Sequence, residues 1–343
     1  MKRLLNTLYV TSQGSYLSKE GETVSISIDH EQKLRLPIHT LDGIVCFGQV
    51  ACSPPLMGFC AERNVSLTFL TENGKFLARV QGPVSGNVLL RREQYRRADD
   101  PEFSATVARV IVCAKIANSR NVVMRAAREN PEPNRSTPLR LAGENLARLL
   151  GELRTPLPLE IVRGKEGEAA KIYFGQFDHL ITTQKDDFKF TSRNRRPPLD
   201  NVNALLSFLY TLLAHDVRSA LEGVGLDPAV GYLHRDRPGR PGLALDLMEE
   251  FRPILADRLV LSLINRQQIR ASGFKTTETG AVIMDDETRK EVLVAYQKRK
   301  QEEIMHPFLG EKVLVGLLPH IQSLLFARFI RGDLDGYPPL FWR

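Results

Sequence analysis

The sequence has few cysteines, and none of them is placed to form a zinc site. The 343 residues include four cysteines, and no two of these stand in a C-x-x-C pair. No histidine lies near them at zinc-finger spacing. Cys46 and Cys60 occur in apolar runs and are predicted to be buried free thiols. The cysteine pattern therefore argues against a zinc finger and suits a reducing compartment.

Long apolar runs are also missing from the sequence. Nowhere do about 18 apolar residues follow one another, which is the length that a membrane-spanning helix requires. The N-terminal stretch Met1–Ser15 contains an apolar segment that is too brief for a signal sequence, and it lacks a small-residue cleavage site. We therefore expect no membrane association and a cytoplasmic location.

The composition is that of a globular protein with an excess of positive charge. Hydrophobic residues make up 43% and charged residues 25%, so a packed core is expected, and the length is sufficient for two domains. Lys and Arg total 47 against 40 Asp and Glu, a formal net charge of +7. This excess favours a polyanionic partner, because cations that neutralise phosphates release condensed counterions. Since many soluble proteins are mildly basic, the charge alone does not establish nucleic-acid binding.

The first ninety residues have the pattern of β-strands. Val24, Ile26 and Ile28 alternate with serines, as expected for a half-buried strand. A further strand is predicted at 65–70, followed by a hairpin turn at Asn73-Gly74 and a returning strand at 76–80. A short helix is predicted at 56–63, after the N-cap residue Ser53.

From about residue 101 onward, apolar residues keep the spacing of α-helices. Phe103, Val107 and Ile111 begin this pattern, and a proline-broken loop is predicted at 130–138. Further helices are predicted at 139–153, 166–179, 201–222, 244–267, 286–303 and 311–331. The expected fold class is α+β, with a small β-rich domain at 1–90, a linker at 91–101 and a larger helical domain at 102–343.

Two stretches of the helical domain contain isolated candidates for a functional site. Glu166 lies among small residues at a predicted helix start, where it could equally be a carboxylate that complements the helix dipole. His234 stands among three arginines in the glycine- and proline-rich loop 231–242, where a histidine is often simply solvated.

A third stretch, 243–253, contains a pair of acidic residues. Asp246 and Glu249 are three residues apart, so on a helix they share one face close to the apolar residue Met248. Like charges near buried surface are costly unless they are compensated, and a bound cation would offset them. Glu250 is predicted to point elsewhere and to be solvated.

Together these stretches supply donors for a hard metal ion. Carboxylates with one imidazole suit Mg²⁺ or Mn²⁺, whereas structural zinc would require thiolates or more histidines. Arginines nearby could hold phosphate oxygens in a bidentate manner. A hard metal beside clustered arginines suggests phosphodiester chemistry.

Four linked motifs carry a resemblance to a known family. They are Glu166-Gly167-x-Ala169-Ala170-x-x-Tyr173-Phe174, Asn203-Ala204-Leu205-Leu206-Ser207-Phe208-x-Tyr210, Gly231-Tyr232-Leu233-His234 and Leu245-Asp246-x-x-Glu249-x-Phe251-Arg252-Pro253. Their order and separation resemble the CRISPR-associated adaptation endonuclease/integrase family. The two-lobed layout of that family also fits the β-rich and helical domains, so the resemblance covers essentially the whole chain.

The resemblance implies a site and an activity. The catalytic residues would be Glu166, His234, Asp246 and Glu249. Mg²⁺ or Mn²⁺ would be held by Glu166, His234 and Glu249, with Asp246 supporting the metal or positioning the substrate. The enzyme would join the 3′ ends of a short DNA duplex to the repeat of a CRISPR array by transesterification, as part of antiviral defence.

The resemblance also implies an assembly. Members of the family form homodimers through their β domains, and two dimers grip a dimer of a small companion adaptation protein in a heterohexameric complex on double-stranded DNA. Basic residues near the motifs are predicted DNA contacts, although each could be an ordinary solvated cation. These residues are Arg193, Arg195, Arg196, Arg235, Arg237, Arg240 and Arg252.

Two other functions remain open from the sequence. The same residues would serve a stand-alone, metal-dependent, structure-specific nuclease of DNA repair, with water as the nucleophile. An adjacent companion gene and a repeat array would favour integration over this activity. A basic DNA-binding scaffold without chemistry is the third possibility, but a pure binder gains nothing from carboxylates near phosphate.

Overall fold

A computed structural model describes residues 5–82, 88–130 and 132–342 of the chain. The chain divides into two compact units, which are Met1–Ser85 with Met284–Lys300, and Gly86–Ile283 with Gln301–Arg343. The first is rich in strands and the second is mostly helical, so the predicted α+β fold class is confirmed.

The strands lie mainly in the first unit. They are β1 Asn6–Val10, β2 Tyr16–Glu20, β3 Thr23–Ile28, β4 Glu31–Pro37, β5 Leu41–Phe47, β6 Ala51–Cys52, β7 Ser66–Leu70, β8 Phe76–Val80, β9 Phe274–Thr276, β10 Val282–Met284, β11 Glu303–Met305 and β12 Lys312–Leu314.

The helices lie mainly in the second unit. They are α1 Pro54–Glu62, α2 Val88–Ala98, α3 Pro101–Glu129, α4 Pro133–Glu152, α5 Leu159–Gly175, α6 Phe177–Leu180, α7 Asn201–Gly223, α8 Gly242–Phe251, α9 Arg258–Asn265, α10 Asp286–Lys300 and α11 Leu318–Ile330. A π-helical turn, Arg252–Asp257, joins α8 to α9.

Two four-stranded sheets form the strand-rich unit, in the orders β1-β5-β7-β8 and β4-β3-β2-β6. Their alternating apolar residues meet in one core with Leu56 of α1 and include Leu17, Val24, Ile44 and Leu67. The predicted hairpin is confirmed between the antiparallel strands β7 and β8. Gly74 has a φ of 82°, a left-handed conformation that glycine adopts without strain. Cys46 and Cys60 are buried free thiols as predicted, and burial raises the pKa of each to about 12.

The helical unit is organised around the long helix α3. Asp100 caps its start by accepting hydrogen bonds from the backbone N–H groups of Glu102 and Phe103, and Pro101 occupies the first turn, where no intrahelical donor is needed. Helices α4, α5 and α8 pack against α3, and α7 and α11 pack against α8. Helix α8 is therefore enclosed by packed helices, and this enclosure determines the environment of the acidic residues that it carries.

Several predicted boundaries are wrong. The expected linker 91–101 is largely helix α2, whose residues Leu90 and Gln94 are buried at helical spacing. The expected loop 130–138 is largely the first turns of α4, because Pro133 is the first helical residue, where proline is tolerated. The start of the helix expected at 311–331 is occupied by β12, and α10 is grouped with the strand-rich unit.

The long helical pattern at 244–267 is also interrupted. Pro253 cannot donate a backbone hydrogen bond, and the chain passes through the π-helical turn at this point before it continues as α9. Within the described ranges, no helix is both long and apolar enough to cross a membrane.

Candidate active site

Two helices that are distant in sequence bring Glu166 and Glu249 together. Glu166 lies in the middle of α5 and not at a helix start as predicted, because α5 already begins at Leu159. Its side chain is 28% exposed, whereas that of Glu249 on α8 is 2% exposed. One carboxylate of the pair is thus accessible and the other is buried.

A buried lysine of α3 joins the two carboxylates. Lys115 Nζ forms an ion pair with Glu166 Oε1 and lies 2.7 Å from Glu249 Oε2. Burial by itself lowers the pKa of the Lys115 ammonium, but Glu249 and Glu166 outweigh burial and raise this pKa. Lys115 therefore stays protonated, and a positive charge is held where the two carboxylates meet.

Arg252 is a second cation beside Glu249. Its Nη1 lies 2.6 Å from Glu249 Oε1, and its guanidinium lies 4.8 Å from the ring centroid of Tyr210. Burial alone would raise the pKa of Glu249, but the charges of Arg252 and Lys115 lower it to about 2. Glu249 is therefore ionised at neutral pH, although it is almost fully buried.

Asp246 fixes the position of His234. Its Oδ2 accepts hydrogen bonds from the backbone N–H groups of Tyr232 at 2.6 Å and Leu233 at 2.9 Å. Its Oδ1 accepts one from the N–H of His234 at 2.9 Å and lies 2.7 Å from His234 Nδ1. A carboxylate that pairs with Nδ1 favours the tautomer with a free lone pair on Nε2. Asp246 therefore orients the histidine, and both of its oxygens are already occupied.

A close contact of two glycines keeps the His234 loop against α8. A Cβ atom at Gly231 would lie 2.7 Å from the carbonyl carbon of Gly242 and 2.9 Å from Asp246 Oδ2. Any larger residue at 231 would force the loop away from α8. The glycine is thus required for the hydrogen bonds that hold His234.

A buried carboxylate with two tyrosine donors lies next to these groups. Asp257 accepts hydrogen bonds from the hydroxyls of Tyr210 at 2.6 Å and Tyr173 at 3.0 Å. Burial raises the pKa of Asp257 to about 6, although the two hydroxyls partly offset the effect. Tyr173 is 3% exposed, so it belongs to the core of the helical unit.

The prediction that Glu250 is solvated is wrong. Its side chain is completely buried, and its Oε2 accepts hydrogen bonds from the N–H of Leu340 at 2.8 Å and from Gln322 Nε2 at 3.2 Å. Burial raises the pKa of this carboxyl to about 7. The physical reason is the packing of the C-terminal residues and α11 against the face of α8 that the sequence pattern left open.

The seven candidate arginines have different environments. Arg193 is held by protein groups, since it donates to Asn203 Oδ1 at 2.7 Å and Ser207 Oγ at 3.1 Å. Arg252 is engaged with Glu249, as described above. Arg235 is exposed and its Nη2 lies 2.7 Å from Glu160 Oε2. The other four are Arg195, Arg196, Arg237 and Arg240, of which the first three are exposed and the last is half-buried.

Two separate segments contribute to one basic region. Burial lowers the pKa of Arg240, and the charges of Arg237, Arg195 and Arg196 lower it further. Charges affect one another's pKa only at short range, so Arg195 and Arg196 must lie near the arginines of the loop 235–240. The fold therefore concentrates positive charge beside the His234 loop.

The donor set fits a divalent ion in type and charge. Two carboxylates and an imidazole nitrogen are ligands that Mg²⁺ and Mn²⁺ accept. Yet within residues 5–82, 88–130 and 132–342, no group of three or more His, Cys, Asp and Glu side chains is arranged so that it could hold a metal ion. Glu166 and Glu249 do converge on a cation, but that cation is the ammonium of Lys115.

Sequence analysis did not single out Lys115 or Asp257. A usable signal for the lysine existed, because Ile111, Lys115, Asn118 and Val122 follow one another at helical spacing and all four are buried. A charged residue within a buried stripe is rare unless it is paired. No comparable signal marks Asp257, which precedes α9 in a run of apolar residues.

The fold and the site together define a class of protein. A strand-rich unit accompanies a helical unit in which acidic residues, an oriented imidazole and a concentrated basic region lie close together, an arrangement suited to handling phosphodiesters.

Comparison with known proteins identifies the family. The family described as CRISPR associated protein Cas1 matches residues 8–298. The chain is 60% identical over 343 residues to the CRISPR-associated endonuclease Cas1 1 of Chlorobaculum tepidum, and the match covers 100% of both chains. The chain belongs to the Cas1 family of CRISPR-associated proteins, as the four motifs predicted.

Solved structures share the fold. A casposase bound to an integration product matches with a TM-score of 0.84 and 22% identity, covering 98% of this chain and 93% of that one. A chain of a Cas6-RT-Cas1–Cas2 complex matches with a TM-score of 0.84 and 20% identity, covering 100% of this chain and 36% of that one. These likenesses establish the architecture of the chain.

Proposed function

We propose that this protein is the integrase of CRISPR adaptation and that it joins short DNA duplexes to the repeat array by metal-dependent transesterification. The observation that carries the proposal is the convergence of Glu166 and Glu249 on one positive charge, next to a histidine whose ring is oriented by Asp246. Membership of the Cas1 family supports this function, and the relative from Chlorobaculum tepidum is named an endonuclease.

The metal would be Mg²⁺ or Mn²⁺, held by Glu166, His234 and Glu249. When bound, such an ion acidifies the attacking hydroxyl and offsets the negative charge that develops on the phosphate. Asp246 keeps Nε2 of His234 available, because it pairs with Nδ1. Arg252 keeps Glu249 ionised. The nucleophile is the 3′-hydroxyl of the incoming DNA, and the leaving group is a 3′-oxygen of the repeat.

The DNA would lie across the basic region beside the His234 loop. Arg195, Arg196 and Arg237 are exposed, so they are the strongest candidates for contacts with phosphates. Arg193 and Arg252 have protein partners, and in this proposal they shape the site rather than hold the duplex. Arg235 and Arg240 would contribute at the edge of the same region.

The assembly is a homodimer formed through the strand-rich unit. Strand β4 lies at one sheet edge with Leu34 42% exposed, and β8 lies at another with Phe76 47% and Leu77 56% exposed. Unpaired strand edges that carry apolar side chains favour association. Two such dimers would grip a dimer of the companion protein, and the fold shared with a chain of a Cas1–Cas2 complex is consistent with this arrangement.

Strand transfer tests the proposal directly. A labelled short duplex and a repeat-bearing plasmid are incubated with the protein and its companion in Mn²⁺, in Mg²⁺ or in EDTA. Glu166→Gln, Glu249→Gln and His234→Asn should each lower the rate of joining by at least about a hundredfold, because the loss of a ligand should cost no less than the loss of a group that orients a ligand. Glu168→Gln is the matched control, since Glu168 lies on the same helix and pairs only with Arg148 and Lys165 among the described residues.

The possible results separate the alternatives. Normal joining by Glu166→Gln would reject the site, and normal joining in EDTA would reject the metal. Cleavage without joining in the presence of the companion would favour the stand-alone repair nuclease. Binding of DNA without either reaction would favour the scaffold.

A further inference from the structure

We propose that Lys115 is a built-in counter-cation that a divalent ion must displace from between Glu166 and Glu249, so that this lysine sets the metal affinity of the site. The inference depends on the metal site of the proposed function and adds a residue that controls it. It concerns a positioning role and not a contact with the substrate.

The geometry places one nitrogen in contact with both carboxylates. Lys115 Nζ pairs with Glu166 Oε1 and lies 2.7 Å from Glu249 Oε2, so these two oxygens face a single point. Glu249 Oε2 is buried, and the Lys115 ammonium lies against it. Electrostatic attraction between the two charged groups therefore holds the ammonium against Glu249.

The ammonium supplies a counter-charge to the two carboxylates. Lys115 is 7% exposed, so its charge cannot be solvated by water where it stands. Helices α5 and α8 present two negative charges to each other, which is costly near buried surface, and Arg252 offsets one of them. Lys115 offsets the other and holds the two carboxylates together.

A divalent ion cannot share this point with the ammonium. Oxygen ligands of Mg²⁺ or Mn²⁺ lie about 2 Å from the metal, so an ion shared by Glu166 and Glu249 would lie within contact distance of Nζ. Two positive charges at that separation repel strongly in a poorly solvated site. Ser119, Tyr210 and Asp257 line the pocket beside Lys115, so a displaced ammonium has polar groups towards which it can move.

Substitution of Lys115 shows whether this lysine competes with the metal ion or supports the residues that would bind it. Lys115→Met keeps much of the side-chain volume and removes the charge. Lys165→Met is the matched control, because Lys165 also pairs with two glutamates, Glu152 and Glu168, on the outer side of α5. Mn²⁺ affinity is measured by calorimetry and from the paramagnetic resonance signal of free Mn²⁺, and melting temperatures are recorded in EDTA and in Mn²⁺.

Displacement predicts opposite effects on stability and on affinity. Lys115→Met should melt several degrees lower than the wild type in EDTA, because the carboxylates lose the cation between them and keep only Arg252 as a counter-charge among the described groups. It should bind Mn²⁺ at least about tenfold more tightly, because no cation then occupies the point that both carboxylates face. It should also gain more in melting temperature from Mn²⁺ than the wild type gains. Lys165→Met should match the wild type in all three measurements.

Each other result overturns the inference. Unchanged or weaker Mn²⁺ binding by Lys115→Met would show that the lysine is inert or supports the ligands. If the variant does not fold in EDTA, it is refolded with Mn²⁺, and failure of the metal to restore folding would equally reject displacement. Failure of both the wild type and Lys115→Met to bind Mn²⁺ would instead defeat the proposed metal site itself.

Discussion

Replacement of Glu250 by alanine should destabilise the protein by about 3–5 kcal/mol. The side chain is fully buried, and its Oε2 is the acceptor for the N–H of Leu340 at 2.8 Å. Losing that acceptor leaves a buried donor without a partner, which costs about 1–3 kcal/mol. The space left by the side chain contributes about 2 kcal/mol more. Gln322 loses less, because its Nε2 also donates to the hydroxyl of Tyr337 and the carbonyl of Pro338.

The assay is urea-induced unfolding followed by circular dichroism at pH 4. Burial raises the pKa of Glu250 from its usual 4.5 to about 7, so at pH 4 the carboxyl is mainly protonated in both the folded and the unfolded protein, and ionisation does not complicate the comparison. Glu250→Gln keeps an oxygen acceptor for Leu340 and should lose at most about 1.5 kcal/mol. Glu144→Ala, at an exposed position of α4, should stay within about 0.5 kcal/mol of the wild type. A Glu250→Ala protein as stable as Glu144→Ala would refute the buried position of this carboxyl.

Two further predictions concern the other buried carboxylates. The pKa of Asp257 is raised from its usual 3.8 to about 6, so its contribution to the free energy of unfolding is complete below pH 4 and is lost as the pH rises through 6, a change of about 3 kcal/mol. Asp257→Asn should lack this pH-dependent contribution in urea titrations between pH 4 and 7. An identical pH profile for the two proteins would contradict the assignment. Asp246→Asn places an amide against backbone N–H donors and leaves His234 Nδ1 without its carboxylate, so the rate of strand transfer should fall about 10–100-fold. Asp236→Asn, in the exposed part of the His234 loop, should leave this rate unchanged. Equal rates for both variants would mean that Asp246 does not orient the histidine.

Local sequence determined the strand-rich part of the fold. The alternation of Val24, Ile26 and Ile28 with serines predicts a strand, and β3 forms there with Val24 and Ile26 buried, although Ser25 on its other face is buried as well. Asn73-Gly74 specifies a tight turn whatever the rest of the chain does. Proline was less informative, since Pro133 begins a helix where a loop was predicted. A proline in a first turn and a proline in a loop have the same local sequence signal.

The site was only partly determined in this way. The spacing of Asp246 and Glu249 placed both residues on one helix, and the four motifs identified the family to which the chain belongs. Which atoms these carboxylates contact did not follow from spacing. Asp246 accepts hydrogen bonds from the backbone of the His234 loop, and Glu249 pairs with cations from α3 and from the π-helical turn.

Only the tertiary structure decided the roles of Glu250 and Lys115. Glu250 is next to Glu249 and on a face of α8 that the sequence pattern predicts to be exposed, but Leu340 and Gln322 donate hydrogen bonds to it and bury it. Lys115 reaches Glu166 and Glu249 because α5 and α8 both pack against α3. The sequence of a helix specifies the direction of each side chain around its axis. The partner that each side chain meets is set by chain segments far away in sequence, which local patterns do not encode.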